Sequence, residues 1–402
     1  MGRIPDELIA DIRERVDIVA VIGEHVQLKK IGNSHKGLCP FHQEKTPSFH
    51  VLPDKRFFHC FGCQKSGDVF RFLMDLSGTS FTDTVRGVAK RVGVDIPERE
   101  ETPEERGRRD ERGNLFEVNG LAAAFYREVL LGTDGQAGRS YLATRGIGAE
   151  VSETFQLGMA PDGWDALASR LESRHVSPEL PIALGLTAPR REGRGYYDKF
   201  RNRLMCPVIL PAGEIVAFSG RTLGSDPEAP KYINSPGSPV YTKGNVLFGL
   251  HAARAAFRKK GRALVVEGNF DVIALHQAGF DETVAPLGTA LTARQVDSLR
   301  LLAPMVVLCL DGDRAGRSAA LKDITPLLAA GVETRVAALP EGEDPDSFVA
   351  KHGTTAFAEL IERAQPAAEY FIYEVWGRAD RSADRMSAVM KVLTLIATIF
   401  MP

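Results

Sequence analysis

Apolar residues recur at helical spacing over residues 6–22. Leu8, Ile9, Ile12, Val16 and Val19 share one face there, and Asp6 after Pro5 supplies a start signal. That spacing predicts one amphipathic helix. The rhythm then shortens to β-like runs at His35–Cys39, Ser48–Leu52 and Arg56–Cys60, and returns to helical spacing at Asp68–Leu76 and Phe81–Val92. Residues 97–114 (PEREETPEERGRRDERGN) are nearly all charged, Pro or Gly. No core can form from them, so a flexible or surface linker is expected.

A mixed region follows from Leu115, with helical patterns at Phe116–Leu131 and Ala166–Glu172 and short strands and turns between Tyr196 and Phe248. Between Gly261 and Gly353 the pattern becomes an alternation. Strand-like runs Ala263–Val266, Thr283–Ala285, Met305–Leu310 and Thr334–Ala338 are interleaved with helical patterns at Phe270–Gln277, Thr292–Leu301 and Gly316–Ala329. Alternation of this kind argues for a parallel sheet with helices on its faces. The tail from Pro366 to Pro402 reads as helical, and no internal repeat is visible. The expected fold class is therefore multidomain α/β. Its parts are a small module with flanking helices (1–96), a linker (97–114), a mixed α+β subdomain (115–260), a parallel-sheet subdomain (261–353) and a helical C-terminal segment (354–402).

Composition adds little to this until charge is mapped along the chain. An apolar content of 44% and a charged content of 25% are ordinary for a soluble globular protein. Met1–Glu14 is charged and has no apolar run, so no leader is expected. No run approaches the ~20 apolar residues a membrane span needs, so no membrane association is expected. The net charge of −2 hides an asymmetry. Leu186–Arg262 holds fourteen Lys/Arg against five Asp/Glu, whereas the chain from Leu264 onward holds twelve against nineteen. A basic segment before an acidic one suggests a polyanion-binding surface beside a metal-binding one.

Two constellations carry chemistry. Cys39-x2-His42 and Cys60-x2-Cys63 use three of the five cysteines in two chelating pairs, which is the donor set of a tetrahedral structural zinc site. His59 abuts Cys60 and should point away. A metal-type cysteine pattern without a leader favours a reducing, cytoplasmic setting. Cys206 and Cys309 lie inside apolar runs and read as core. Further on, Glu267 follows one strand-like run and Asp311-x-Asp313 follows another. In parallel α/β sheets, ligands bind beyond the carboxyl ends of strands, so these acids should meet if the strands are neighbours. Like charges ~4 Å apart cost about 4 kcal/mol at an effective dielectric near 20. Magnesium or manganese relieves that repulsion and takes phosphate oxygens as further ligands. Asp344 and Asp346 are placed to join the cluster.

These residues are specific enough to point to a family. Val265-Val266-Glu267-Gly268 with Asp271, Pro286-Leu287-Gly288-Thr289, and Asp311-Gly312-Asp313-Arg314-Ala315-Gly316 together resemble the Toprim domain of bacterial DNA primases. The Cys-His-Cys-Cys spacing is similar to the zinc-binding module of the same family. Lys199–Arg203 and Gly220-Arg221 through Pro230–Pro236 resemble the basic stretch of its catalytic core. The resemblance implies a zinc ribbon, a basic N-terminal subdomain of an RNA polymerase core, and a Toprim subdomain. It further implies synthesis of short RNA primers from ribonucleoside triphosphates on a single-stranded DNA template. In that reading Glu267, Asp311 and Asp313 hold the catalytic metals, supported by Asp271, Asp344 and Asp346. Arg145, Arg201, Arg203, Arg221, Lys231 and Lys243 contact nucleotide and template. Phe49, Phe57, Phe58 and Phe61, among Lys45, Lys55, Arg56 and Lys65, divide between the module's core and base stacking. The replicative helicase is the partner the family implies, with its docking domain expected to be absent from these 402 residues. Asn269 stands where the family commonly has an aromatic residue. The acids alone also allow a topoisomerase, a metal-dependent nuclease or a RecR-like recombination mediator. A topoisomerase needs a nucleophilic tyrosine, and none of the eight tyrosines sits in a recognisable context. A nuclease leaves the zinc module and the basic stretch without a role, and a zinc-plus-Toprim mediator has no counterpart of the region from Leu115 to Phe248.

Overall fold

Val16 and Asp17 interrupt the first helix. The computed structural model has helices Asp6–Arg15 and Ile18–Gly23 where the apolar spacing alone predicts one. Val16 is extended, and the Asp17 carboxylate accepts from the Val19 and Ala20 N–H groups at 2.8 and 3.2 Å, an N-cap that restarts the helix. The apolar face continues across the break because both helices pack on one core. The structure describes all residues except 1–3, 43, 45, 78–80, 97–102, 191–194, 225, 227, 289, 378–381 and 401–402. It divides into two units, Met1–Glu105 and Arg106–Pro402.

In the first unit, strands Lys29–Ile31, Ser34–Gly37, Phe49–Leu52, Phe57–Cys60 and Ser66–Gly67 form an antiparallel meander in sequence order. Helices Val69–Ser77 and Phe81–Arg91 follow. Alternate strand positions turn inward, so Phe49, Val51 and Phe58 meet Ile12, Ile22 and Phe72 in a small core.

Part of the expected linker is helical. Residues 97–102 lie outside the described residues, but Pro103–Leu131 is one long helix. Its buried stripe Leu115, Val118, Ala122, Tyr126 and Leu130 anchors the second half. Pro at the first position costs no hydrogen bond, and the Glu/Arg-rich sequence that follows has good helix propensity.

The second unit contains two main sheets. Gly158–Ala160, Arg203–Ile209, Ile215–Thr222 and Tyr232–Asn234 form an antiparallel sheet, with the two long strands at its centre. The other sheet is ordered Leu247–Phe248, Thr283–Pro286, Ala263–Val265, Met305–Leu308, Glu333–Val336, Gln365–Pro366. Its four central strands are parallel and both edges are antiparallel. Leu264, Val266 and Val307 point to one face, whose core also takes Leu204, Cys206 and Val208 from the antiparallel sheet. Val265, Val306 and Leu308 point to the other, where Tyr370, Phe371 and Leu395 pack. The C-terminal segment is thus no separate layer. Helix Pro345–Glu362 runs through a kink at Gly353, and Gln365–Pro366 adds an edge strand to the sheet.

The amino end of the parallel sheet is tied by charge. Glu282 is fully buried and accepts from Lys260 at 2.7 Å and Arg262 at 3.1 Å, and Arg262 also reaches Glu362 at 2.7 Å. Glu282→Ala would leave two cations without their shared buried partner. A loss of about 3 kcal/mol is expected in thermal or denaturant unfolding. A change below about 1 kcal/mol would show that this network is not holding the sheet edge.

Candidate metal centres and nucleic-acid interface

Strand alternation aims Cys60 inward and His59 outward, and the loops on either side bring up the other donors. Cys39 Sγ and Cys63 Sγ are 3.8 Å apart, and Cys60 Sγ lies 3.9 Å from His42 Nδ1. Sulfurs on a zinc tetrahedron with bonds of about 2.3 Å sit about 3.8 Å apart. All four ligand atoms fall within 4.8 Å of one another, so the donor set and its spacing fit zinc. Glu44, which the sequence reading passed over, organises this site. It accepts from the Cys39 and Ser48 N–H groups at 2.7 and 3.0 Å and from the Ser48 hydroxyl, and it lies 3.3 Å from His42 Nε2. A carboxylate on the outer ring nitrogen fixes which nitrogen of His42 faces the metal.

The module's rings divide between buried and exposed. Phe49 and Phe58 are fully buried and stacked at 5.2 Å, whereas Phe61 is 62% exposed and Phe57 36%. His50 and His59 meet the Phe61 ring edge to face at 5.1 and 4.5 Å, and His50 pairs across the strands with both Lys36 and His59. The outer face of the sheet therefore carries aromatic and cationic groups side by side. Lys45 lies outside the described residues.

In the second unit, register delivers the acids. Val265 pairs with Leu308, and the Cys309 N–H donates to Val265 O at 2.9 Å, so the two strands leave the sheet together. The Asp311 N–H then donates to Glu267 Oε1 at 3.1 Å. Gly312 and Gly316 make this loop possible. A Cβ on Gly312 would sit 1.9 Å from Pro340 O, and one on Gly316 would sit 2.1 Å from Asp311 O. Asp313 caps helix Arg314–Ala329 through the Gly316 N–H at 2.8 Å. Asp344 caps helix Pro345–Glu362 through the Ser347 N–H at 2.7 Å, and Asp271 accepts from the Gly268 N–H at 3.1 Å.

The acids strain against each other. Burial, then repulsion from Glu267, Asp344 and Asp313, pushes Asp311 up to about 7, with Lys231 opposing. Burial and the fields of Asp311, Asp344 and Asp346 push Asp271 up to about 8. Burial, with Asp313 adding, raises Glu267, and burial raises Asp346 against the pull of Arg145. Asp311 Oδ1 is buried with no hydrogen-bond partner. An unpaired carboxylate oxygen among repelling acids fits a divalent cation. Among the described residues, only the Cys/His set draws three or more donor side chains within 4.8 Å. The wider acid set suits magnesium, which takes one or two carboxylates and keeps waters and phosphate oxygens.

The basic residues differ in burial and partners. Arg203 is 5% exposed and donates to Gly220 O and Pro230 O, both at 3.0 Å, so it braces the sheet rather than presenting itself to a template. Its place within an all-buried strand explains the difference, because that strand turns it inward to bridge two backbone segments. Arg145 is ion-paired with Asp346. Arg221 donates to the Tyr232 hydroxyl at 2.7 Å. Lys231 is exposed and its charge acts on Asp311. The Lys243 ammonium lies beside the Gly288 turn at the carboxyl end of the parallel sheet. Arg201 stacks 3.9 Å over Trp164, a 58% exposed ring that the sequence reading missed. Spacing gave no signal for that pair, since 37 residues separate them.

A zinc-type module and a parallel sheet with acids at its carboxyl edge, packed against a basic antiparallel sheet, define a Toprim protein with an appended zinc ribbon. The chain belongs to the DnaG-type bacterial DNA primase family. Residues 4–104 match the CHC2 zinc finger, 125–254 the N-terminal domain of the DNA primase catalytic core, and 264–349 the Toprim-like domain. It is 46% identical over 360 residues to a DNA primase of Halalkalibacterium halodurans, covering 89% of this chain and 59% of that protein. It is 41% identical over 400 residues to one of Myxococcus xanthus, covering 98% and 65%. The chain thus spans about three-fifths of the curated relatives it matches. Among solved structures, the zinc-binding and RNA polymerase domains of the Aquifex aeolicus primase align at TM-score 0.60 and 33% identity, covering 98% of this chain and 99% of that one. A DnaG catalytic domain bound to single-stranded DNA aligns at TM-score 0.65 and 36% identity, covering 72% and 94%.

Two outcomes follow. Glu44→Ala should speed zinc loss to a chelator, with metal affinity falling about 10–100-fold. Release at the parent rate would remove Glu44 from the site. Asp311 and Asp271 keep protons in the folded chain that the unfolded chain gives up from near pH 4. That contribution to stability is complete below the ordinary range and is lost as pH rises toward about 7–8. Magnesium should therefore raise the thermal midpoint more at pH 8 than at pH 5. Equal shifts at both would argue against these acids as the binding site.

Proposed function

We propose that this chain is the zinc-ribbon and polymerase portion of a DNA primase, joining ribonucleoside triphosphates into short RNA primers on single-stranded DNA. The observation that carries this reading is the meeting of Glu267 and Asp311 at one sheet edge, with an unpaired buried Asp311 oxygen in the field of Lys231. Glu267, Asp311 and Asp313 would hold the catalytic cations, with Asp271, Asp344 and Asp346 shaping the charge around them. Magnesium or manganese bound there offsets phosphate charge and eases ionisation of a primer 3′-hydroxyl.

The chain's own groups do the rest. Arg145, Arg221, Lys231 and Lys243 bind and orient the triphosphate, with Arg offering paired donors to phosphate oxygens. Asp346 holds Arg145 in place until a phosphate competes for it. The new bond joins the 3′-oxygen to the α-phosphorus, and the bond that breaks releases pyrophosphate. Arg201 on Trp164 offers a stacking surface with a cation, the combination that suits an unpaired template strand. The exposed Phe61 face of the zinc module offers the same chemistry for choosing a start site. The metal-type cysteine pattern supports a reducing, cytoplasmic setting. Among the described residues, no helix is long and apolar enough to cross a membrane. The helicase remains a partner implied by the family, and no described residue is assigned to it.

The test uses single-stranded template, labelled ribonucleotides and magnesium. Short RNA products are expected; template cleavage or binding alone would overturn the reading. Lys231→Ala should lower synthesis about 10–100-fold, the worth of a charged hydrogen bond of about 1.5–3 kcal/mol, with the melting temperature unchanged. A fully active Lys231→Ala chain would remove that residue from the site.

A further inference from the structure

Arg145 and Arg221 share one aromatic support. The Arg145 guanidinium carbon lies 5.5 Å from the Tyr141 ring centre and 5.8 Å from that of Phe270; for Arg221 the distances are 5.0 and 5.5 Å. Tyr141 and Phe270 meet edge to face at 5.6 Å and 86°. Tyr141 precedes Arg145 by four residues along helix Gln136–Thr144 and its cap, so ring and cation fall on one face. Phe270 opens helix Asn269–Gln277, between Glu267 and Asp271. The two rings therefore join the basic sheet's side of the molecule to the acid loop.

Two guanidiniums gathered on the same two rings repel unless something negative faces them. Asp346 is bonded to Arg145 and its field also reaches Arg221. Arg221 donates to the Tyr232 hydroxyl at 2.7 Å, while its Nε is buried without a hydrogen-bond partner. Ring faces add negative potential without consuming the charge, and they leave the donors not taken by Asp346 or Tyr232 for a ligand. The Tyr141 hydroxyl is itself buried and unpartnered, so the ring rather than the hydroxyl makes the contacts that matter.

We propose that Tyr141, braced on Phe270, is a positioning residue that holds Arg145 and Arg221 as a fixed pair for the triphosphate of an incoming ribonucleotide. This rests on the primase reading, and the test separates the two. The full chain, with magnesium, is assayed for equilibrium binding of a fluorescent ribonucleoside triphosphate and for primer synthesis. Tyr141→Leu is expected to raise both Kd and KM about tenfold, equivalent to about 1.4 kcal/mol, with kcat within about twofold. Tyr141→Phe, which keeps the ring, is expected to restore values to within about twofold of the parent. If Tyr141→Leu does not fold, Tyr141→Met, which fills the space without a π face, takes its place. Unchanged Kd and KM in the ring-less variant overturn the proposal. So does equal damage from Phe and Leu, which would place the role in the hydroxyl, or a fall in kcat alone. If the parent binds triphosphate but makes no RNA, the primase reading fails while the Kd comparison still decides the role of Tyr141.

Discussion

Parallel pairing of Ala263–Val265 with Met305–Leu308 sets the chemistry of this chain. Once those strands are in register, Glu267 and Asp311 must leave the sheet side by side, whatever their mutual repulsion. The fold offsets this locally, with a backbone N–H given to Glu267 and helix N-termini given to Asp313 and Asp344. At Glu267 that bond works against the burial and the Asp313 charge that raise its pKa. What these bonds leave uncompensated at Asp311 and Asp271 is the share a cation can take.

That arrangement survives because the sheet is held from both faces and from its far end. On one face the apolar side chains of the antiparallel sheet share a core with the parallel sheet, so the basic residues are fixed relative to the acids rather than tethered by a loop. On the other, the C-terminal helices close the layer. The Glu282 network sits at the opposite end from the acids. Charge there is paired and structural; at the carboxyl edge it is crowded and available.

The first unit solves a different problem. Its core is small, and a metal held by four side chains replaces the apolar area it lacks. Glu44 shows how closely that site is specified, since one carboxylate touches the Cys39 backbone, Ser48 and the His42 ring. Freed from covering a large core, the outer face of the meander can carry Phe61 with His50, His59 and Lys36.

Much of this was legible in the chain itself. Cys/His spacing gave the zinc donors, and the apolar runs gave the four parallel strands and the order of helices between them, because both depend on local periodicity. The Asp-Gly-Asp and Glu-Gly positions after those runs gave the acids for the same reason. Three features depended on contacts across long separations and were not readable. Arg203 looks like any other cation of its basic stretch, and only the sheet turns it inward onto two backbone carbonyls. The charged run after Pro103 has no core-forming residue, yet it is helical because the buried stripe beyond Leu115 nucleates it. Phe270 meets Arg145 and Arg221, and Tyr141 meets Arg221, only once elements distant in the chain have packed, and Trp164 meets Arg201 across 37 residues. Sequence determined which groups the protein owns and roughly where each element starts, whereas the tertiary structure alone decided which charges are spent on holding the fold and which stay free to act.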